Sequence, residues 1–517
     1  MNDTASRLSL LGQDFGTLPD LVRSHARARP SSPALLHRGQ SLDYAGLDRM
    51  IDRVALGLQR DGLASGGAVA VCAAASIAYA CVFLGALRAG AAVAPLAPSS
   101  SPEALGAMIA DCGAAFLFCD AETERALAPL RRKIGARFIR LDSAEFETWL
   151  PEAGAAPAPA AIAPDDAFNI IYSSGTTGAP KGIVQSHAMR WGHMTRAAVF
   201  GYAETSVTLV STPLYSNTTL VSFFPALAQG GAVVLMEKFD AAGFLALAQT
   251  HGVTHAMLVP VQYRRIMDVP DFGKYDLSRF VMKFSTSAPF SAALKTDILA
   301  RWPGGLVEYY GMTEGGGTCI LAAHMHPAKL HTVGQPAEGH DIRLIDEAGR
   351  ELPRGKMGEI VGHSGAMMNF YLNQPGKTRE AEWFDASGKR FIRTGDIGRF
   401  DEDGFLVLMD RAKDMIISGG FNIYPSDIEA VILRQPGIAE AAVVGVASRR
   451  WGETPVAFVV ADAGAAADAA ALRSAVNAQL GKIQRIALVE IVAVLPRSAI
   501  GKVLKRELRD GFRGNVD

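Results

Sequence analysis

A chain of 517 residues is long enough for about three domains, or for two domains of which one is large. Its 51 lysine and arginine residues balance 52 aspartate and glutamate residues, so the net charge is -1 and no bulk field draws the molecule to nucleic acid or to an anionic membrane. Hydrophobic residues make up 49% of the chain, which favours a globular enzyme over a disordered chain. We therefore expect small-molecule ligands, held by local sites.

The cysteine content and the N-terminus both predict a cytoplasmic protein. The five cysteines are odd in number and form no C-x-x-C pair, which argues against a disulfide framework and against a zinc ribbon. The first residues, MNDTASRLSLLGQDFG, lack the basic head and apolar run of a secretion signal.

A charge-free segment from Ala68 to Leu87 has the length of a membrane span. Most of it is alanine, serine, cysteine and glycine, so we interpret it as a strand over 68–72, a turn and a buried helix that ends near Arg88. A further strand is predicted over 92–95. This interpretation excludes a membrane span.

The pattern of elements predicts an α/β fold. Helical stretches alternate with apolar runs from Leu42 to Leu141, and a second series follows a proline- and alanine-rich connector over 151–164. We expect a large N-terminal unit of two βα-layered sheets, then a small β-barrel-like subdomain after about Gly339, and an α+β domain in the last hundred residues, with a helix over 467–481. The strands predicted for the second series are Phe168–Tyr172, Val207–Ser211, Ala232–Met236, Ala256–Val259 and Phe280–Ser285.

A loop rich in glycine, serine and threonine, YSSGTTGAPKG over 172–182, follows one of these strands. Such a loop offers backbone N–H groups and hydroxyls to phosphate oxygens, and Lys181 adds a positive charge. Pro180 stands where the P-loop of ordinary nucleotidases requires glycine. The residues after Lys181 predict a strand, so no helix N-terminus would lie under the phosphates.

This loop resembles the signature of the AMP-forming adenylating superfamily, which includes acyl- and aryl-CoA synthetases, amino-acid adenylation domains and firefly-type luciferases. Further motifs resemble that family in the same order along nearly the whole chain, and we place the protein nearest to 4-coumarate and benzoate:CoA ligases. These motifs are YYGMTE over 309–314, RTGD over 393–396, DRAKD over 410–414, IISGGFNIYPSDIE over 416–429 and PRSAIGK over 496–502.

The resemblance implies that a carboxylate attacks the α-phosphorus of ATP and releases pyrophosphate, and that the acyl-adenylate then passes to the thiol of coenzyme A. Thr313 would bind the α-phosphate, Glu314 would hold Mg²⁺, Tyr310 would pack on adenine, and Asp396 with Arg411 would hold the ribose. The residues implied for the other phosphates are Ser173, Ser174, Gly175, Thr176, Thr177, Gly178 and Lys181.

The resemblance also implies a mobile C-terminal domain. The predicted division is 1–410 for the ATP- and acid-binding domain and 411–517 for the mobile domain, with a hinge near Lys413. Lys502 would bridge the attacking carboxylate and the α-phosphate. After a swing of this domain, Ser418, Gly419 and Gly420 would line the path of the coenzyme A thiol.

The acid pocket departs from the usual family pattern and predicts a polar lining, formed by Tyr215, Ser216, Asn217, Thr286 and Ser287. Because an unpaired buried hydroxyl costs about 1–3 kcal/mol, we expect a small or medium aromatic acid and not a long alkyl chain. Leu220, Val221, Phe223 and Phe224 would form an apolar wall, and glycines 315–317 would leave space for a ring. Alternatively, these polar side chains bond within the protein and carry no information on the substrate.

Four alternatives to an acid:CoA ligase for an aromatic acid stay open. The chain could load a separate carrier protein, activate fatty acids, act as a luciferase-like oxygenase, or bind nucleotide as a sensor without catalysis. The simultaneous presence of Lys181, Glu314, Asp396 and Lys502 argues against a sensor. Both a monomer and a homodimer are compatible with the sequence.

Overall fold

The computed structural model describes residues 10–173, 181–411, 414–418, 421–449, 451–465, 468–481, 484–498 and 503–516, without the side chains of 173, 410, 411, 421 and 422. The chain forms two compact units. The first contains the residues up to Leu330 with Ala337–Asp341 and His363–Ile392, and the second contains His331–Pro336, Ile342–Gly362 and the residues from Arg393 onward.

One sheet of the first unit has the order β14-β13-β12-β11-β9-β10-β1-β2. Its central strands are parallel, and β14 and β2 pair antiparallel at its two sides. The parallel strands are short and buried, as expected where helices cover a sheet. The strands are β1 (Pro33–His37), β2 (Gln40–Asp43), β9 (Val207–Val210), β10 (Ala232–Leu235), β11 (His255–Leu258), β12 (Met282–Ser285), β13 (Gly305–Tyr310) and β14 (Cys319–Ala322).

The other sheet of this unit has the order β18-β8-β7-β4-β3-β5-β6. It is parallel from β6 to β7, and β8 and β18 are antiparallel additions. This sheet carries the predicted phosphate loop, which joins β7 to β8. The strands are β3 (Ala68–Cys72), β4 (Ala92–Pro95), β5 (Ala114–Cys119), β6 (Arg137–Arg140), β7 (Ala167–Ser173), β8 (Lys181–Ser186) and β18 (Phe370–Tyr371).

Helices connect and cover these strands. They are α1 (Leu18–Ala28), α2 (Tyr44–Arg60), α3 (Ile77–Arg88), α4 (Pro102–Asp111), α5 (Ala121–Leu127), α6 (Ala144–Trp149), α7 (His187–Thr195), α8 (Asn217–Ala228), α9 (Ala241–His251), α10 (Pro260–Met267), α11 (Ala292–Arg301) and α12 (Pro375–Glu380). Many begin at a polar cap, as α3 does at Ser76, whose side chain accepts a hydrogen bond from the Tyr79 N–H.

The charge-free segment forms strand β3 and helix α3, and strand β4 follows it. This confirms its interpretation as part of the buried core. Helix α3 packs so closely on α2 that a Cβ at Gly85 would lie 2.5 Å from Val54, so glycine is required there. Within the described part of the chain, no helix is both long and apolar enough to cross a bilayer.

The second unit contains two sheets. In one, β20 pairs antiparallel with β21, and β16 and β17 continue the sheet as an open layer, so the described strands form no closed barrel. In the other, β25 lies between β24 and β26 and also pairs with β22. The remaining strand of the first unit is β19 (Glu382–Phe384). The other strands not yet given are β15 (Gln335–Pro336), β16 (Asp341–Ile345), β17 (Gly358–His363), β20 (Arg390–Phe400), β21 (Leu406–Arg411), β22 (Ile416–Ser418), β23 (Phe421–Ile423), β24 (Ile438–Ser448), β25 (Gly452–Ala461) and β26 (Leu488–Ile491).

Three helices accompany the last sheet: α13 (Pro425–Ile432), α14 (Ala469–Asn477) and α15 (Lys505–Gly511). Ile428 and Ile432 of α13 pack with Val443 and Val459 in one core. This confirms the predicted α+β domain, with one helix shorter than expected. The helix predicted to reach Gly481 ends at Asn477, whose side chain accepts from the Ile486 N–H at 2.7 Å and donates to the Ile486 carbonyl at 3.0 Å.

Candidate active site

The predicted phosphate loop joins two antiparallel strands. β7 runs into the loop and β8 leaves it at Lys181, with Ser173 opposite Lys181 in the ladder. The strand predicted after Lys181 is therefore confirmed. Ser174, Gly175, Thr176, Thr177 and Gly178 lie outside the described residues.

Tyr371, which the sequence motifs did not identify, connects two predicted site residues. Its hydroxyl donates a hydrogen bond to Glu314 Oε1 at 2.7 Å, and Lys181 Nζ lies 4.8 Å from the centre of its ring. Burial, and then the nearby Glu314 carboxylate, hold the pKa of Tyr371 above its ordinary value, so it remains a donor at neutral pH. The pairing of β18 with β8 brings Tyr371 to this position.

The backbone around Glu314 is held by the segment before β18. The Met368 N–H donates to the Glu314 carbonyl at 2.8 Å, and Gly315 forms an antiparallel bridge with Met367. Gly315 has φ +75°, and a Cβ there would lie 2.0 Å from the Ala366 carbonyl oxygen. The backbone of Ala366 therefore fills the space on the Cβ side of Gly315, and the space for a ring beside glycines 315–317 stays a prediction.

Tyr310, predicted to contact adenine, ends β13 and is 9% exposed. The preceding Tyr309 belongs to an aromatic cluster, with ring centres 5.7 Å from Phe284 and 5.8 Å from Phe200. Successive strand residues face opposite sides of a sheet, so the side chains of Tyr309 and Tyr310 lie on opposite faces of it.

In the second unit, Asp396 and Arg411 are directly opposite each other in the β20–β21 ladder. The motif residue Arg393 pairs with Glu359, and the Asp396 N–H donates to Thr394 Oγ1 at 3.0 Å. The side chain of Arg411 lies outside the described residues. The register nevertheless brings together the two residues that the resemblance assigned to the ribose.

The predicted acid pocket is already hydrogen-bonded in part. Thr218 Oγ1 and Ser287 Oγ are 2.6 Å apart, and Asn217 Oδ1 accepts from Arg190 at 2.8 Å. Ser216 is buried, and burial raises the pKa of Tyr215. Thr286 is half-buried after β12. Of the expected apolar wall, Leu220, Phe223 and Phe224 on α8 lie in the main hydrophobic core.

A cluster of buried amides around Arg190 was also missed by the motif analysis. Arg190 donates to Asn169 Oδ1 and to Gln185 Oε1, and Gln185 Nε2 donates to the Thr313 carbonyl at 2.6 Å. Asn169 and Gln185 are fully buried. The available signal was the presence of these polar residues in strands that are otherwise apolar.

The C-terminal part of the predicted site is described only in places. Lys413, Gly419, Gly420 and Lys502 lie outside the described residues. Ser418 is buried, ends β22, and pairs with Phe421 and Gly452.

Comparisons with known proteins agree with this geometry. Residues 22–372 match the AMP-binding enzyme family, and residues 427–502 match the AMP-binding enzyme C-terminal domain. The chain therefore belongs to the AMP-binding enzyme family, which confirms the AMP-forming acid–thiol ligase predicted from its motifs.

Relatives cover almost the whole chain. The fatty acid–[acyl-carrier-protein] ligase ScoC of Streptomyces coeruleorubidus is 32% identical over 509 residues, 96% of this chain and 97% of that protein. A feruloyl-CoA synthase of an Amycolatopsis species is 33% identical over 508 residues, 97% of this chain and 99% of that protein. Among solved structures, ATP-bound MatB from Rhodopseudomonas palustris is similar with a TM-score of 0.86 and 30% identity, covering 95% of this chain and 98% of that chain.

Proposed function

We propose that the protein is an ATP- and Mg²⁺-dependent acid:CoA ligase that forms an acyl-adenylate and transfers the acyl group to coenzyme A. The observation that carries this proposal is that Lys181 and Glu314 both contact the side chain of Tyr371. This brings the cation at the end of the phosphate loop close to the carboxylate assigned to the metal.

The chemistry requires two anions to meet, because a carboxylate attacks a triphosphate. Positive charge and oriented donors must therefore stabilise the charge that develops on the α-phosphorus. Lys181 would neutralise the outer phosphates and the Thr313 hydroxyl would donate to the α-phosphate. A carboxylate oxygen is a hard donor of the kind that Mg²⁺ prefers, and Tyr371 orients the Glu314 carboxylate through Oε1. When bound, Mg²⁺ would neutralise and orient the phosphate oxygens.

The C-terminal domain would complete the site in turn. Lys502 would bridge the acid and the α-phosphate during adenylation, and rotation about Lys413 would then present Ser418, Gly419 and Gly420 to the coenzyme A thiol. The division at 410/411, the cytoplasmic location, and a monomeric or homodimeric state belong to the same proposal.

For the acid, we favour a small or medium aromatic carboxylate. The similarity to a feruloyl-CoA synthase supports this preference. Ser287 adds nothing to it, because its hydroxyl already bonds to Thr218. Loading of a separate carrier protein is the second candidate, because ScoC, a similar protein, is named as a ligase for an acyl-carrier protein.

The direct test is ATP–pyrophosphate exchange with a library of carboxylic acids, followed by consumption of free thiol when coenzyme A is added. Acid-dependent exchange with thiol consumption supports the ligase. Exchange without consumption of the coenzyme A thiol favours carrier loading, and nucleotide binding without any exchange would leave only a sensor.

A further inference from the structure

Arg190 is a buried cation without a counter-anion in the described protein. It lies in α7 and is 1% exposed. Its Nε donates to Asn169 Oδ1 at 2.9 Å, and its Nη2 donates to Gln185 Oε1 and to Asn217 Oδ1. All three acceptors are neutral amides, and no carboxylate of the described residues forms an ion pair with the guanidinium.

This arrangement is costly for a protein to maintain. Arg190 Nη1 is buried without a hydrogen-bond partner, and the guanidinium faces the rings of Phe168 at 6.0 Å and Phe224 at 5.6 Å. Arginine is almost never fully buried without a paired charge, because removal of a cation from water is expensive. Burial alone lowers the pKa of Arg190 to about 9. An anion that binds nearby would offset this cost.

The cluster contacts several of the segments assigned to acid activation. Asn169 lies on β7, which leads into the phosphate loop, and Gln185 lies on β8, which begins at Lys181. Gln185 also holds the carbonyl of Thr313, and Asn217 is the first residue of α8 in the predicted acid pocket. Since Asn217 Oδ1 faces Arg190, the Nδ2 group of the same amide is directed away from the cation and can donate to a ligand.

We propose that Arg190 is a positioning residue whose charge holds the carboxylate of the acid substrate before adenylation, acting through the amide of Asn217. The inference rests on the proposed function and assigns the missing counter-anion to the substrate. An attraction that acts equally in the ground state and in the transition state lowers KM without changing kcat. The charge of Arg190 should therefore appear in the KM of the acid and not in the KM of ATP.

The test neutralises the charge of Arg190 by a substitution at Asn169, which is not one of the predicted acid-pocket residues. Asn169→Asp places a carboxylate on the Arg190 Nε, whereas Asn169→Ala removes the same hydrogen bond without adding charge. Arg190→Met removes the positive charge. Arg190→Lys retains the positive charge but has fewer hydrogen-bond donors than the guanidinium. Arg88→Met is the structural control, because Arg88 is a buried arginine that already pairs with Asp48 and Asp52.

Initial rates of pyrophosphate exchange with benzoate, 4-hydroxybenzoate, coumarate, hexanoate and palmitate give KM for acid and for ATP, with thermal unfolding as the folding control. We expect Asn169→Asp and Arg190→Met to raise the KM of the acid about tenfold or more with kcat within about threefold. Asn169→Ala and Arg190→Lys should lie closer to wild type. Asn169→Asp should also unfold at the wild-type temperature or above, because it supplies the missing anion. Arg88→Met should lower the unfolding temperature and leave the KM of the acid unchanged.

Two failures are distinguishable. A wild-type protein that exchanges pyrophosphate with none of the acids overturns the proposed function, and this inference with it. An active wild type overturns this inference alone if Asn169→Asp has the same acid KM as Asn169→Ala, or if the KM of ATP rises as much as that of the acid. If Arg190→Met does not fold, the comparison of the two Asn169 variants still decides.

Discussion

The hydroxyl of Tyr371 donates to Glu314 Oε1 at 2.7 Å, across a ring that also faces the ammonium of Lys181. One aromatic side chain thus orients a carboxylate and contacts a cation, both assigned to the ATP site. A partner that orients a metal-binding carboxylate is worth about 10- to 100-fold in metal affinity or activity.

Tyr371→Phe removes the donor to Glu314 and keeps the ring that faces Lys181. We expect the Mg²⁺ concentration for half-maximal pyrophosphate exchange to rise about tenfold, with a smaller change in the KM of ATP. A magnesium titration of wild type and variant measures this effect. Phe370→Tyr, on an exposed neighbour in the same strand, serves as the control. Identical magnesium titrations for Tyr371→Phe and wild type would show that Tyr371 does not orient Glu314 for Mg²⁺.

Lys413→Pro tests whether the second step depends on rotation. Proline fixes φ near -65° and removes an N–H, so it restricts a hinge at this residue. We expect adenylation to remain nearly intact while transfer to coenzyme A falls strongly, because only the transfer step needs the rotated pose. Exchange assays and thioester formation, measured side by side, check this. Unchanged turnover with coenzyme A would place the hinge elsewhere or show that no rotation is needed.

The acid preference is tested by kcat/KM for palmitate, hexanoate, benzoate and 4-hydroxybenzoate or coumarate. We expect an aromatic acid to be preferred, since the predicted pocket contains the buried hydroxyl of Ser216 and half-buried polar groups such as those of Asn217 and Thr286, which an alkyl chain leaves without new partners. The Thr218–Ser287 hydrogen bond already satisfies one of these groups, so that group adds little to the preference. The preference over hexanoate should be smaller than that over palmitate, because a shorter alkyl chain covers fewer of the remaining polar groups. A clear preference for palmitate would contradict the aromatic assignment.

Stability should fall in acid because several histidines are buried in the neutral form. Burial lowers the pKa of His255 to about 4, and its ring stacks on Tyr202 at 4.2 Å. The unfolded chain binds a proton near pH 6.5 and the folded chain only near pH 4, so stability is lost as pH falls from about 6.5 towards 4. Linkage with these values gives a loss of about 2 kcal/mol at pH 5 from this one residue.

His255→Phe retains an aromatic ring beside Tyr202 and removes the titration. We expect the difference in unfolding free energy between pH 7 and pH 5, measured in urea, to shrink by about 2 kcal/mol in the variant. His331→Phe, at an exposed position, is the matched control for the replacement of a histidine by phenylalanine. An unchanged slope in His255→Phe would show that His255 already titrates normally in the folded protein.

Local patterns allowed much of the fold to be predicted. The strand at Ala68–Cys72 and the helix that ends at Arg88 follow from apolar runs bounded by turn residues, and both were found with those limits. The end of α14 was not predictable, because it depends on hydrogen bonds between Asn477 and Ile486, which only the folded chain brings together.

The proposed site could be inferred from the sequence where its residues cluster, and not where they converge from distant segments. Thr313 and Glu314 belong to one recognisable motif. Tyr371 reaches Glu314 only through the pairing of β18 with β8. Arg190 meets Asn169 and Asn217 from separate elements, and a lone arginine in a helix predicts a solvated surface and not a buried cation.

The measurement that tests the central claim most directly compares the two half-reactions of Lys502→Ala. An acid that supports exchange in the wild type is used for adenylation, and the matching acyl-adenylate is supplied with coenzyme A for the second step. We expect adenylation to fall by about 10²- to 10³-fold or more, because Lys502 acts only while charge develops on the α-phosphate, and thioester formation from supplied acyl-adenylate to remain close to wild type. Equal losses in both half-reactions would contradict an adenylating ligase that uses its C-terminal lysine for the first step.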